Sequence, residues 1–140
     1  MLEIINTLME KVKTSVSVSN APAPAHIART RESEKDLEKA LVSGVKRRGG
    51  MAVKLTSQFH RGLPDRMVLL PYRTICFVEL KSTGAKRTKL QEVAAEQLGT
   101  LGFRTFVVDS SEAMWEFFQK MDKRIARIDK AIGANEVQSA

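Results

Sequence analysis

The residues from 74 to 80 form an almost unbroken apolar run, Thr-Ile-Cys-Phe-Val-Glu-Leu, and a lysine follows them. A run of this kind predicts a central strand covered on both faces, because a half-exposed strand alternates apolar and polar residues. Side chains alternate along a strand, so Glu79 and Lys81 share one face near its charged end. The chain is therefore expected to fold as a layered α/β domain whose sheet ends in a polar site.

A second acid precedes this strand. Asp65 ends the sequence Gly-Leu-Pro-Asp, and a short hairpin-like stretch separates it from the strand. The hairpin should bring Asp65, Glu79 and Lys81 together at one end of a small sheet. Two carboxylates can hold a divalent cation that stabilises charge on a phosphodiester, and an ammonium can orient the attacking water. Pro-Asp alone is most often a turn, and Glu-x-Lys at a strand end is most often an ion pair. Only the two motifs together support the hypothesis that the protein is a nuclease.

Periodicity in the rest of the chain predicts the order αβββαβα. Ser33 is a good N-cap for a first helix that ends at Gly49 and Gly50. A second helix is expected to begin at residues 85–87 and to end near residue 101, before Gly102. A long final helix should follow Ser110 or Ser111. Strands are predicted at residues 51–55, 67–70, 74–80 and 103–108, with the last two parallel because a helix connects them.

The two ends of the chain suggest additional helices. Residues 1–18 have the apolar spacing of an amphipathic helix, residues 19–32 form a linker with Ala-Pro-Ala-Pro, and residues 133–140 are expected to be a flexible tail. In the final helix an apolar stripe follows a heptad, which is typical of helices that pack on other helices. We therefore expect a homodimer held by the terminal helices, with packing of the two helices inside one chain as the alternative. The stripe consists of Met114, Phe118, Met121, Ile125, Ile128 and Ile132.

Three motifs resemble those of the VRR-NUC (virus-type replication-repair nuclease) family of the PD-(D/E)XK superfamily. They are Gly-Leu-Pro-Asp-Arg at residues 62–66, Phe-Val-Glu-Leu-Lys at 77–81 and Thr-Lys-Leu-Gln at 88–91. The resemblance covers residues 33–118, within a domain expected to span residues 33–132. It implies a mixed central sheet flanked by helices and hydrolysis of DNA with Mg²⁺ or Mn²⁺. The substrates it implies are often branched, as at a flap or a four-way (Holliday) junction, and stand-alone members are known mainly from phages and bacteria.

The resemblance also implies roles for particular residues. Asp65 and Glu79 would bind the metal, Lys81 would act in catalysis, and Gln91 matches the glutamine that the family has on its next helix. The family's acid on the first helix is best matched by Glu34, which would be catalytic and a further metal ligand. Glu38, one turn later, is the competing position for that acid.

The charge of the chain agrees with a nucleic acid partner. The formal net charge is +7 and the isoelectric point is about 9.8, which favours binding to polyanions but would also suit a ribosomal or membrane-surface protein. Aromatic residues make up only 6% of the chain, so stacking on DNA bases is expected to be a minor part of binding. The predicted DNA contacts are Lys46, Arg47, Arg48, His60, Arg61, Arg66, Lys86, Arg87 and Lys89.

Other features limit the remaining possibilities. Cys76 is the only cysteine and lies in the apolar strand, so no disulfide or cysteine-rich metal site is expected. No apolar run approaches membrane-spanning length, and we expect a cytoplasmic protein without a nucleotide cofactor. The main alternative is a non-catalytic nucleic-acid-binding protein on the same fold, in which Asp65, Glu79 and Lys81 form a structural charge network. An interaction module dominated by its terminal helices is a third possibility.

Overall fold

The computed structural model describes residues 32–138, and the side chains as far as residue 133. The predicted order αβββαβα is confirmed in this part of the chain. The predicted helix of residues 1–18 lies outside the described residues, as does the linker apart from Glu32. The elements are α1 (Glu34–Arg47), β1 (Met51–Lys54), β2 (Arg66–Leu70), β3 (Thr74–Leu80), α2 (Lys89–Thr100), β4 (Arg104–Val108) and α3 (Ser111–Gln138).

The four strands form one mixed sheet in the order β1-β2-β3-β4. The pairs β1/β2 and β2/β3 are antiparallel, whereas β3 and β4 are parallel as predicted. Arg66 at the start of β2 pairs with Val78 near the end of β3. The residue before β2 therefore lies beside the last residues of β3, where the sequence placed the polar site.

Helices cover both faces of the sheet. On one face, Cys76, Val78 and Leu80 of β3 pack in a single hydrophobic core with side chains of α1 and α3. On the other face Phe77 meets Phe103 edge-on, with 5.6 Å between the ring centroids. Helix α2 covers this second face with few buried side chains. No helix in the described residues is long and apolar enough to cross a membrane.

Capping side chains fix where the helices begin. The Oγ atom of Ser33 accepts a hydrogen bond from the amide of Asp36, as predicted for an N-cap. Helix α2 begins at Lys89 and not at residues 85–87, because Thr88 and Gln91 form a reciprocal capping box there. A turn precedes it, in which the amide of Ala85 donates to the carbonyl of Ser82 (2.9 Å). Lys86 and Arg87 therefore lie in the connection between β3 and α2.

The apolar stripe of α3 is filled within the chain along most of its length. Met114, Phe118, Met121 and Ile125 are all buried in the core shared with α1 and the sheet. Only the distal part, such as Ile132 at 39% exposure, reaches solvent in the described structure. Intramolecular packing thus accounts for the heptad spacing as far as Ile125. The helix also continues to Gln138, past residue 132, where a flexible tail was expected.

Arg48 joins the end of α1 to α3. Its Nε and Nη2 atoms donate to the two carboxylate oxygens of Asp122 at 2.6 and 2.8 Å, and Nη1 donates to the carbonyl of Gly44 at 2.9 Å. The guanidinium also lies 4.0 Å from the centroid of the Phe118 ring. A bidentate pair stacked on an aromatic ring is a strong arrangement for arginine. The guanidinium that the sequence offered as a DNA contact is engaged in this interhelical contact.

Replacing Gly44 by alanine should destabilise the fold. A Cβ atom at Gly44 would lie 2.3 Å from the end of the Phe118 ring, which is too close for any real contact. Overpacking of this kind typically costs about 1–3 kcal/mol. We expect a lower free energy of unfolding for Gly44→Ala, measured by urea titration.

Gly99→Ala provides the matched control. Gly99 is also helical, but a Cβ atom there would meet nothing within 4 Å. Alanine is favoured over glycine in helices by about 1 kcal/mol, so this variant should be unchanged or more stable. Equal stability of the two variants would show that Phe118 moves aside without cost.

Candidate active site

Asp65 connects the start of β2 to the end of β3. Its Oδ2 atom accepts a hydrogen bond from the amide of Leu80 at 2.7 Å. Its backbone carbonyl accepts one from the amide of Leu55 at 2.9 Å, and Pro64 before it is buried. Asp65 is therefore held through both its backbone and its side chain, and its carboxylate faces the last residues of β3.

Glu79 is the buried acid of the site. Its side chain is only 2% exposed, and its Oε1 atom accepts hydrogen bonds from the Nζ atom of Lys81 at 3.1 Å and from the side-chain amide of Gln91. Lys81 extends the strand pairing, because its amide donates to the carbonyl of Val108 at 3.0 Å. The structure thus brings Asp65, Glu79, Lys81 and Gln91 together.

The environment of Glu79 disfavours its ionised form. Burial, and then the negative charge of Asp65, raise the pKa of Glu79 above its usual range. The hydrogen bond and charge of Lys81 act in the opposite direction, as does the positive charge of Arg87. Two carboxyl groups close enough to repel each other in a nearly dry setting are an arrangement that a divalent cation would stabilise.

The carboxylate pair suits a hard divalent cation. Within residues 32–138, the Oδ1 atom of Asp65 and the Oε2 atom of Glu79 accept no hydrogen bond, so each acid keeps one oxygen for a ligand. The described part of the chain holds no group of three or more His, Cys, Asp or Glu side chains arranged for a metal. Mg²⁺ is commonly held by one or two carboxylates while it keeps its waters. The residues present therefore fit such an ion.

The two acids of α1 have different surroundings. The Oε1 atom of Glu34 accepts from the amide and hydroxyl of Ser82, at 3.2 and 3.5 Å, beside Lys81. Glu38 instead pairs with Arg66 and with Lys54, and the hydrogen bond from Arg66 lowers the pKa of Glu38. Glu34 is thus at the rim of the site, but in the described residues it forms no group of three metal-binding side chains with Asp65 and Glu79, and its role as a third ligand stays a prediction.

Several predicted DNA contacts lie away from the site or are already engaged. Helix α1 has 14 residues and is thus about 20 Å long, so Lys46 and Arg47 lie at the end opposite to Glu34. The Arg47 guanidinium also donates to the hydroxyl of Ser43 at 3.3 Å. Arg66, with a side chain 14% exposed, is paired with Glu38. Arg48 is engaged with Asp122, so the DNA contacts proposed below leave out Lys46, Arg47, Arg48 and Arg66.

Other basic residues lie on the chain segments that lead to and from the acids. Lys86, Arg87 and Lys89 lie between the end of β3 and the first turn of α2, and the charge of Arg87 acts on Glu79. His60 and Arg61 are exposed in the loop that leads to Asp65. Ser82, which binds Glu34, had no distinguishing signal in the sequence beyond its place directly after Lys81.

The raised pKa of Glu79 has a consequence for stability. A carboxyl group whose pKa is raised by folding contributes stability at low pH that is lost as the pH rises through the folded pKa. Glu79→Gln lacks this loss, so its stability relative to the unchanged protein should increase as the pH rises above the ordinary glutamate pKa of 4.5. The gain should be about 1.4 kcal/mol for each unit by which the pKa is raised.

Urea unfolding of the metal-free proteins at several pH values measures this difference. Glu96→Gln on the exposed face of α2 is the matched control and should show no such trend. If the difference in free energy of unfolding between Glu79→Gln and the unchanged protein stays constant with pH, Glu79 is ionised as easily as an exposed acid.

Comparison with known proteins identifies the family. The chain is 44% identical over 79 residues to the protein named "Putative nuclease p44" of Acyrthosiphon pisum secondary endosymbiont phage 1, a match that covers 56% of this chain and 85% of that one. A solved structure described as a VRR_NUC domain matches with a TM-score of 0.53 and 31% sequence identity, over 66% of this chain and 94% of the other. No family model matches the chain.

These likenesses agree with the architecture of the sheet and helices. The predicted α/β fold of the PD-(D/E)XK type is confirmed by the mixed four-stranded sheet and by the match to the solved domain. The matched phage protein carries a nuclease name, in keeping with the acids at the end of the sheet. The chain belongs to the VRR-NUC family.

Proposed function

We propose that this protein is a DNA endonuclease that hydrolyses phosphodiester bonds with Mg²⁺ or Mn²⁺. One observation carries the proposal: Asp65 and the buried Glu79 lie together at the end of the sheet, with Lys81 bound to Glu79. Membership of the VRR-NUC family and the nuclease name of the phage relative support it. Oxygen ligands accept both cations, so the carboxylate pair suits either one.

In the proposed reaction the residues hold and orient the reacting groups. Asp65 and Glu79 would bind the cation, which would stabilise negative charge on the phosphate under attack. The ammonium of Lys81, at 3.1 Å from Glu79, would orient the attacking water and offset charge on the phosphate. Gln91 fixes the orientation of Glu79 through its hydrogen bond. Glu34, at the rim, would help to position Lys81 through its hydrogen bond with the neighbouring Ser82.

The proposed DNA surface lies around these acids. Lys86, Arg87 and Lys89 form a basic segment between β3 and the start of α2, and His60 and Arg61 flank the site on the loop before Asp65. Contacts of lysine and arginine to phosphates supply affinity without reading sequence. Such a surface suits selection of DNA by shape, and we propose branched DNA, such as a flap or four-way junction, as the preferred substrate.

The burial of Glu79 favours an enzyme over a binding protein without catalysis. A structural charge network gains nothing from an acid held where its ionised form is disfavoured, because burying a charge costs free energy. A buried acid with a perturbed pKa beside a second carboxylate is common at catalytic sites. The test is to incubate the protein with a supercoiled plasmid and with a branched duplex, in the presence of Mg²⁺, Mn²⁺ or EDTA. Cleavage with a metal and not with EDTA indicates an enzyme, and binding without cleavage indicates a binding protein.

Asp65→Asn, Glu79→Gln and Lys81→Ala should each reduce cleavage by at least about a hundredfold. Each removes a group that acts mainly in the transition state, so DNA affinity and the fold should remain largely unchanged. Single-turnover cleavage and anisotropy of labelled DNA measure the two effects. Near-normal turnover in any variant would remove that residue from the mechanism.

The acids of α1 give an internal comparison for the same assay. Glu34→Gln should reduce cleavage more than Glu38→Gln, because Glu34 contacts Ser82 beside Lys81 whereas Glu38 balances Arg66. The reverse order would move the functional acid by one helical turn.

Changing Lys86, Arg87 and Lys89 together to alanine should weaken binding to all DNA sequences alike. Each lost phosphate contact lowers the slope of log K against log salt by about one unit. Lys120, Lys123 and Arg127, all exposed on the later turns of α3, form a control set that removes the same charge. Equal effects of both triple variants would show that net charge, and not the position of this segment, governs binding.

We also propose that the protein is a homodimer, because a two-fold assembly would present two sites to a branched DNA. The stripe of α3 is occupied within the chain as far as Ile125. The proposed contact therefore depends on residues 1–18 and on the last turns of α3. Light scattering on the full chain and on a chain beginning at Thr30 is the test. A monomeric full chain would contradict the proposal, and a dimer that survives truncation would place the contact in α3 or the core.

A further inference from the structure

Phe59 is the most exposed large apolar side chain in the described structure, with 92% of its surface accessible. It lies at the tip of the loop between β1 and β2, six residues before Asp65. The hydroxyl of Ser57 accepts hydrogen bonds from the amides of Phe59 and His60, at 3.3 and 3.0 Å. The backbone at the tip is therefore held in a turn that presents the ring to solvent.

The loop is attached to the proposed active site at both ends. Its base is closed by the hydrogen bond from Leu55 to the carbonyl of Asp65 at 2.9 Å. Its returning limb packs on the start of α2, where a Cβ atom at Gly62 would lie 2.4 Å from the carbonyl oxygen of Leu90 and 3.0 Å from the amide of Gln91. Because Gln91 binds Glu79, the loop lies against the residue that holds the buried acid.

Basic residues lie next to Phe59 in the chain and on the segment that leads to the helix against which its loop packs. His60 and Arg61 follow it directly, and the basic segment of Lys86, Arg87 and Lys89 leads into the part of α2 that the loop touches. A partner that suits an exposed aromatic ring next to positively charged segments is polyanionic and offers a flat π surface. A nucleic acid base joined to its phosphates has both properties.

We propose that Phe59 stacks on an unpaired or unstacked base of the DNA and so favours branched substrates over continuous duplex. Every base in a continuous duplex is covered on both faces by its neighbours, whereas bases at a branch or flap expose a face. The inference rests on the proposed function, because the DNA must lie at the Asp65 and Glu79 site for the loop to reach the branch. Stacking would thus have a larger role than the low aromatic content suggested.

The test uses the full-length protein with Phe59→Ala, Phe59→Trp and a control, Leu101→Ala. Leu101 is also an exposed apolar residue, at 72%, but it lies at the far end of α2. The DNA probes are a four-way junction, a flapped duplex and a continuous duplex of equal length. Affinity is measured by anisotropy without divalent metal, and 2-aminopurine beside the branch reports stacking.

Phe59→Ala should lose about tenfold in affinity for both branched DNAs and less than about twofold for the continuous duplex. Phe59→Trp should retain the affinity, and Leu101→Ala should match the unchanged protein. The 2-aminopurine signal should change on binding of the unchanged protein and not on binding of Phe59→Ala. Equal losses on all three DNAs, no loss on any, or a tryptophan variant as weak as alanine would overturn the inference.

Cleavage assays with Mg²⁺ and Mn²⁺ distinguish a failure of the stacking proposal from a failure of the nuclease proposal. If the unchanged protein cleaves no DNA but Phe59→Ala still loses affinity for branches, stacking stands and the nuclease proposal fails. If the protein cleaves DNA and Phe59→Ala keeps its preference for branches, the nuclease proposal stands and stacking is refuted.

Discussion

The burial of the Glu79 carboxyl group at the end of β3 is the constraint on which much of the structure depends. An acid that is 2% exposed must have polar partners, since an unpaired buried charge is costly. Gln91 supplies one of them and also caps its own helix: its Oε1 atom accepts from the amide of Thr88 at 2.9 Å while its side-chain nitrogen binds Glu79. The position at which α2 begins is thus linked to the geometry of the acids.

The two ends of the sheet have different roles. At one end, the carboxyl groups of Asp65 and Glu79 are held close together, with the positive charges of Lys81 and Arg87 acting on Glu79. At the other, α1 is joined to α3 by Arg48 and Asp122, and Gly44 allows the Phe118 ring to approach the helix backbone. The free energy gained from close packing at this end can offset the repulsion between the carboxyl groups at the other end. A functional site often lowers the stability of a protein in this way.

The local sequence predicted the elements that carry the candidate site. The bounds of β3 were predicted correctly because a long apolar run between turn residues admits few other structures. Asp65, Glu79 and Lys81 were placed together because strand alternation and a short hairpin leave little freedom, whereas Gln91, on the next helix, was assigned only through the resemblance to the family. The start of α2 was predicted too early because the basic residues before Thr88 are compatible with a helix, and only the capping box excludes them.

By itself the sequence determined the order of elements, the strand that carries Glu79 and Lys81, and the family. The tertiary structure decided which charged and apolar side chains remain free to contact DNA or another protein chain. Arg48 pairs with an acid 74 positions away, and Arg66 with one 28 positions away, so local patterns could not distinguish them from arginines that face solvent. The heptad stripe of α3 showed that the helix has an apolar face, but not that the same chain covers it. Pairing and packing between distant segments depend on the folded arrangement, because local periodicity specifies a face and not its partner.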